Sequence, residues 1–190
     1  MSAVLSTEPP SREAVYASLD PGTDPDAHAL AQIHATWYSG GGVLPDWLGL
    51  SPDSWQQLRA DCFPGARLPD PVGRGLLEAG RDDEFADVER LLLAHRAGLS
   101  EREVAVAPLI TAGSMGYNHL WEDLGVWSRA ELSGLIRRHF PALAARNDRD
   151  MKWKKFFYRQ LCLAEAGEYV CRAPSCGVCP DYADCFGLAR

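Results

Sequence analysis

Four cysteines near the C-terminus have a spacing that is typical of metal ligands. They form a Cys-x4-Cys-x2-Cys-x5-Cys pattern made by Cys171, Cys176, Cys179 and Cys185. The two-residue gap between Cys176 and Cys179 lets one tight turn direct two sulfur atoms at a common centre. Prolines and glycines between the cysteines disfavour a continuous helix, which would spread the thiols apart. We therefore predict a metal-binding loop over residues 167–190.

The spacing favours an iron-sulfur cluster over a zinc ion. Structural zinc usually takes two pairs of ligands separated by a dozen or more residues, whereas these four thiols lie in one short segment. Compact runs of cysteines are more typical of iron-sulfur ligation. Disulfides are disfavoured because the first 20 residues lack the basic start and apolar block of a secretion signal. Zinc remains the alternative metal.

A basic stripe is expected on the helix that precedes the cysteines. We predict this helix from about Arg149 to Ala166, with the sequence MKWKKFFYRQLC inside it. Helical spacing places three cations on one face and aromatic side chains on another, the cations being Lys152, Lys155 and Arg159. These cations could guide an anionic metal source or an acidic partner. An ordinary solvated helix face is the alternative interpretation.

His119 is the candidate for a ligand other than cysteine. It lies in a polar and aromatic stretch in which Glu122 and Asp123 could orient its imidazole. A structural role for this histidine is the alternative. Cys62 and Cys162 are interpreted as small apolar side chains. No nucleophile and base are spaced in a way that predicts catalysis, so we expect a protein that is not an enzyme.

Composition limits the class of protein. With 190 residues, 46% hydrophobic and 24% charged, the chain is sized for one folded domain. A net charge of −7 opposes binding to nucleic acid, which depends on Lys and Arg at phosphates. The chain also lacks an apolar run of the roughly 18 residues that a membrane span needs. We expect a soluble, cytoplasmic protein.

Apolar periodicity predicts an all-α fold: a single helical domain of about six or more helices. The predicted helices begin near Asp26, at Pro52 after an N-cap at Ser51, at residue 82, after Ser100, after Ser128 and near Arg149. Pro108 should bend the helix that contains it. Residues 64–80 are predicted to be a connector. Residues 1–24 are predicted to be a flexible tail and residues 25–190 the helical domain.

The chain resembles the NifQ family of nitrogen-fixation proteins. The resemblance depends on MKWKKFFYRQLC leading into the cysteine pattern, together with LPDWLGL at 44–50, LLLAHRAG at 91–98, NHLWEDLGVWSR at 118–129 and FPALAARN at 140–147. It extends from about residue 26 to the end. The cysteine pattern alone also resembles the iron-sulfur loop of endonuclease-III-type DNA glycosylases, although the first gap differs and the body of this chain is acidic.

The resemblance implies an iron-sulfur cluster that can incorporate molybdenum, with Cys171, Cys176, Cys179 and Cys185 as its ligands. The protein would take molybdenum from molybdate or another source. It would donate the metal to assembly of the nitrogenase iron-molybdenum cofactor, on the NifEN scaffold with NifH. Two other functions stay open: a zinc-stabilised helical interaction module and an iron-sulfur DNA-repair protein.

Overall fold

The computed structural model describes residues 11–66, 69–76 and 80–164, and these residues form helices and loops without a strand. The all-α prediction is confirmed for this part of the chain. Its helices are α1 (Arg12–Leu19), α2 (Pro25–Tyr38), α3 (Pro52–Cys62), α4 (Asp82–Ala94), α5 (Arg102–Ser114), α6 (Leu120–Leu124), α7 (Arg129–His139), α8 (Pro141–Ala145) and α9 (Trp153–Ala164). None of these helices is long and apolar enough to cross a membrane.

Short polar side chains fix where several helices begin. Asp24 accepts a hydrogen bond from the backbone N–H of Asp26 at 2.9 Å at the start of α2. Ser51 caps α3 by accepting from the N–H of Ser54 at 3.1 Å, as its position before Pro52 predicts. Ser128 caps α7 in the same way. The predicted starts of α2, α3 and α7 are therefore confirmed.

The predicted flexible tail is wrong for the part that the structure describes. Residues 12–19 form α1, which packs against α2 and buries Val15 and Leu19. The ring of Tyr16 lies 4.9 Å from that of Trp127, and its hydroxyl bonds to His28 Nδ1. These contacts offset the cost of ordering a short helix that would be marginal alone. Residues 1–10 lie outside the described residues.

The last described helix begins later than predicted. The sequence pattern placed its start near Arg149, whereas α9 begins at Trp153. Asp150 has a positive φ of 52°, which interrupts a helical path. Asn147 stabilises this bend, because its side chain accepts from the N–H of Met151 at 2.8 Å and donates to the Met151 carbonyl at 3.0 Å. The predicted end at Ala166 lies outside the described residues.

Helix α5 runs through the core, and its buried side chains include Leu109 and Ile110. Pro108 lies inside this helix without ending it. A Cβ atom at Gly113 would lie 3.1 Å from Leu124 Cβ, so this glycine permits the close approach of α6 to α5. The core therefore forms around α5, with α4 and α6 packed directly against it.

A 3₁₀ turn at Asp46–Gly49 ties the connector to the helices. Asp46 Oδ1 accepts hydrogen bonds from three successive backbone N–H groups, at 2.7 Å from Gly73, 2.7 Å from Arg74 and 3.1 Å from Gly75. Trp47 and Leu48 adopt positive φ values of 57° and 59° in this turn. The predicted connector over residues 64–80 contains no helix in its described part.

Candidate functional site

The four predicted cysteine ligands, Cys171, Cys176, Cys179 and Cys185, lie outside the described residues. Within the described ranges, no group of three or more His, Cys, Asp or Glu side chains could hold a metal ion. The assignment of the four ligands therefore depends on the sequence alone. The described part of the candidate site is α9, which is described as far as Ala164.

An aromatic face fixes α9 to the helical body, as the sequence predicts. Trp153, Phe156 and Phe157 are buried, with ring centroids 5.7 to 6.2 Å apart. The indole N–H of Trp153 donates to Ser133 Oγ on α7 at 2.9 Å, so the polar atom of this ring is satisfied. Burial of these rings provides the apolar part of the attachment.

Lys154 provides a polar attachment that the sequence pattern did not reveal. Its ammonium group donates to the carboxylate of Asp123 and, at 2.8 Å, to the carbonyl of Gly116. The Asp123 side chain is 1% exposed and that of Lys154 is 15% exposed. Burial lowers the pKa of Lys154, and the bond to Asp123 opposes that effect. This ion pair joins the first turn of α9 to α6.

A second buried carboxylate meets α9 one turn later. The hydroxyl of Tyr158 donates to Glu84 Oε1 on α4. Arg81 holds both oxygens of the same carboxylate, at 2.8 Å through Nε and 2.7 Å through a terminal nitrogen. Glu84 is 1% exposed. Its buried negative charge is compensated by the bidentate pair with Arg81. Two buried acids, on α4 and α6, therefore fix the orientation of α9.

The predicted basic stripe lies beside these attachments. Lys152 is exposed and immediately precedes α9, whereas Lys155 and Arg159 are half-buried on the helix. All three side chains make interactions of their own. A role in guiding an anion or a partner stays a prediction.

His119 occupies the N-cap position of α6 and is exposed. The two neighbouring acids have other partners in the structure. Glu122 accepts from the backbone N–H of His119 at 3.0 Å, and Asp123 accepts from Asn118 and Lys154. The carboxylates stabilise the start of the short helix and the attachment of α9. A ligand role for His119 stays a prediction.

The other cysteines differ in their surroundings. Cys62 is buried at the end of α3, and burial raises the pKa of its thiol to about 11. This thiol stays protonated at neutral pH and behaves as a small apolar side chain, as the sequence predicts. Cys162 is half-buried near the last described residue of α9. It lies close along the chain to the predicted ligands.

A pocket of about 770 Å³ lies beside the attachments of α9. Its walls include Arg74 from the connector, Arg81 from the start of α4, and Gly116. Arg74 lies over the ring of Trp37, 4.7 Å from its centroid, and donates to the carbonyl of Gly41 at 2.8 Å. Sequence reasoning missed this pocket because Arg74 lies in a segment without periodicity. Both guanidinium groups are committed to protein acceptors.

The amino-acid sequence matches the NifQ family over residues 29–187. The chain belongs to the NifQ family. It is 40% identical to Protein NifQ of Azotobacter vinelandii over 170 residues, which cover 83% of this chain and 86% of that relative. It is 38% identical to Protein NifQ of Klebsiella pneumoniae over 164 residues, covering 83% and 96%. Identity to Protein NifQ of Rhodobacter capsulatus is 44% over 158 residues, covering 83% and 85%. No solved structure matches the chain significantly.

The NifQ match includes both α9 and the cysteine pattern. Its last matched residue, 187, lies after Cys185, so all four predicted ligands fall within the family region. Its first matched residue, 29, lies inside α2. Helix α1 therefore lies before the matched region. The family resemblance inferred from the motifs is confirmed.

Proposed function

We propose that this chain is an iron-sulfur protein that carries molybdenum and donates it to assembly of the nitrogenase iron-molybdenum cofactor. The observation that carries the proposal is that the family match spans the complete Cys-x4-Cys-x2-Cys-x5-Cys pattern. In the proposal, Cys171, Cys176, Cys179 and Cys185 hold the cluster. Four thiolates in this compact arrangement are the donor set that iron-sulfur clusters take.

The attachment of α9 supports this role. The cysteine segment follows a helix that is fixed by aromatic packing and by the buried partners of Lys154 and Tyr158. A ligand segment that starts from a rigid element loses less conformational freedom when it closes around a metal. The bound cluster would supply sulfide, a softer ligand set for molybdenum than the oxygen atoms of molybdate.

We propose that the protein is a carrier and not an enzyme, and that it acts in the cytoplasm. Molybdate or another molybdenum source would supply the metal. The NifEN scaffold and NifH would be the partners at delivery. The carrier role requires a metal that can be both bound and released, and one thiolate of the set could leave to permit transfer.

Metal and sulfide analysis of protein purified without oxygen tests the proposal. The wild-type protein should be brown and contain iron, acid-labile sulfide and, after exposure to molybdate and reductant, molybdenum. Cys176→Ala should lose most of the iron and sulfide. Cys62→Ala is the matched control, because this cysteine is buried at the end of α3 and lies outside the C-terminal pattern.

Other outcomes of the same analysis would contradict the proposal. A colourless protein with one zinc ion would favour a zinc-stabilised interaction module. Salt-dependent binding to duplex DNA would favour a DNA-repair protein. For delivery, the loaded protein is mixed with molybdenum-free assembly proteins, and cofactor formation is measured with the Cys176→Ala protein beside it. Equal cofactor formation with both proteins would exclude the donor role.

A further inference from the structure

An open groove of about 720 Å³ lies between α3, α4 and the first half of α5. It is separate from the attachments of α9. Phe85 and Glu89 of α4 face this groove, whereas Glu84 contacts Tyr158 of α9. Adjacent helical residues point about 100° apart, so the groove and α9 use different faces of α4.

The floor of the groove is apolar. Leu58 is buried in it, and Phe85, Ala105 and Pro108 are half-buried along it. Val104 is 41% exposed at the edge. The groove therefore offers apolar surface to a ligand.

The rim of the groove is acidic. Its carboxylates are Asp53 and Asp61 of α3, Glu89 of α4, and Glu101 immediately before α5. Among the described residues, no cation forms an ion pair with any of them. Arg102, the cation in the lining, pairs instead with Asp24 at 2.5 Å.

Glu89, one of these acids, is partly removed from solvent, which disfavours its charged form. Glu89 is half-buried, and burial raises its pKa. A cation brought next to this carboxylate would be favoured, because a partly desolvated charge gains more from a partner than a fully hydrated one does. The combination of an apolar floor and a rim with excess negative charge selects for a ligand with both apolar and basic groups.

We propose that this groove binds a basic amphipathic segment of a partner protein. The apolar side chains of that segment would pack on the apolar floor, and its Lys or Arg side chains would lie at the acidic rim. Amphipathic helices commonly bind in apolar grooves, and complementary charge at the rim sets the orientation and speed of binding. The inference depends on α3, α4 and α5 alone and is independent of the metal that the chain carries.

The full-length protein is titrated with a labelled synthetic peptide of about 14 leucines and lysines in helical periodicity, and binding is followed by fluorescence anisotropy. The groove variant is Asp61→Asn with Glu89→Gln. The matched control is Asp20→Asn with Asp148→Asn, which removes the same charge from exposed positions outside the groove. The groove variant should bind about tenfold more weakly at low salt, and the control should change less than about twofold.

Two further measurements test whether the peptide binds through both the apolar floor and the acidic rim. Val104→Gln should also weaken binding, since it places a polar group at the edge of the floor. A peptide in which glutamate replaces lysine should not bind. Equal weakening by the groove and control variants would show general charge attraction and overturn the proposal. A wild-type dimer that the groove variant dissociates would overturn it as well, because the groove would then bind a second copy of the chain.

Discussion

The ammonium group of Lys154 and the carboxylate of Asp123 form an ion pair between α9 and α6, inside the protein. Asp123 also accepts from the backbone N–H of Asn118 at 2.9 Å and from its side-chain amide at 3.1 Å. These bonds satisfy a carboxylate that would otherwise be costly to bury. The pair therefore couples the position of α9 to the loop that leads into α6.

Removing the cation should destabilise the fold strongly. Lys154→Met leaves the Asp123 charge buried without its partner, and we expect a loss of about 3–5 kcal/mol in the free energy of unfolding. Urea denaturation of the metal-free protein measures this value, so that bound metal adds no stability. Lys152→Met, at an exposed position beside α9, is the control and should cost less than about 1 kcal/mol.

The double variant Lys154→Met with Asp123→Asn distinguishes charge from packing. The neutral amide keeps an acceptor for Asn118 and removes the unpaired charge. We expect the double variant to recover about half or more of the stability that Lys154→Met loses. Equal losses in the single and double variants would show that packing of the lysine stem dominates.

His34 should make stability depend on pH. Its ring is fully buried and stacks on Trp55 at a centroid distance of 5.0 Å. Burial, with a smaller effect from Arg59, lowers its pKa from 6.5 to about 4. The unfolded chain takes up a proton below pH 6.5 while the folded chain does not, so stability falls as pH decreases from about 6.5 to about 4. The expected loss is on the order of 3 kcal/mol.

Denaturation at a series of pH values checks this dependence. His34→Phe keeps an aromatic ring against Trp55 and should flatten the stability profile between pH 6.5 and 4. His34→Gln should also flatten the profile but be less stable than His34→Phe at every pH, because it keeps a buried polar group and loses the ring that stacks on Trp55. A wild-type slope in His34→Phe would assign the pH dependence to other groups.

Charge reversal tests the basic stripe. Lys152→Glu with Lys155→Glu should slow molybdenum uptake from molybdate about tenfold at low ionic strength, since local charge changes the rate at which an anion arrives. Uptake is followed by metal analysis at timed intervals. Arg96→Glu with Arg146→Glu makes the same charge change at exposed positions outside the stripe. Similar rates in both variants would indicate an ordinary solvated surface.

His119→Ala tests the remaining ligand candidate. Because His119 is exposed at the N-cap of α6, its ring can be removed without opening the core. We expect a lower ratio of molybdenum to iron, with iron content retained. His95→Ala, at the end of α4, is the matched histidine control. A parallel loss of both metals would point to misfolding and against a ligand role.

Local signals predicted most helices well. Ser51 before Pro52 and Ser128 before Glu131 determine helix starts through bonds within a few residues. Helix α1 was missed because its stability depends on Tyr16 meeting Trp127, more than a hundred positions away. No local pattern contains such a contact.

The candidate site was also predictable only where its features depend on local sequence. The aromatic face of α9 follows from helical periodicity, and Trp153, Phe156 and Phe157 are buried as expected. The inward orientation of Lys154 could not be predicted, since it depends on a carboxylate that only the fold brings near. The four cysteine ligands are predicted from spacing alone, and these residues lie outside the described ranges.

The three bonds that Asp46 accepts have a consequence for the connector. Backbone amides in a segment without helix or strand normally exchange their hydrogens with water quickly. Here the N–H groups of Gly73, Arg74 and Gly75 are each held by one carboxylate oxygen. These three amides should exchange slowly in deuterated solvent, and Asp46→Ala should make them exchange at once and open this segment to proteases.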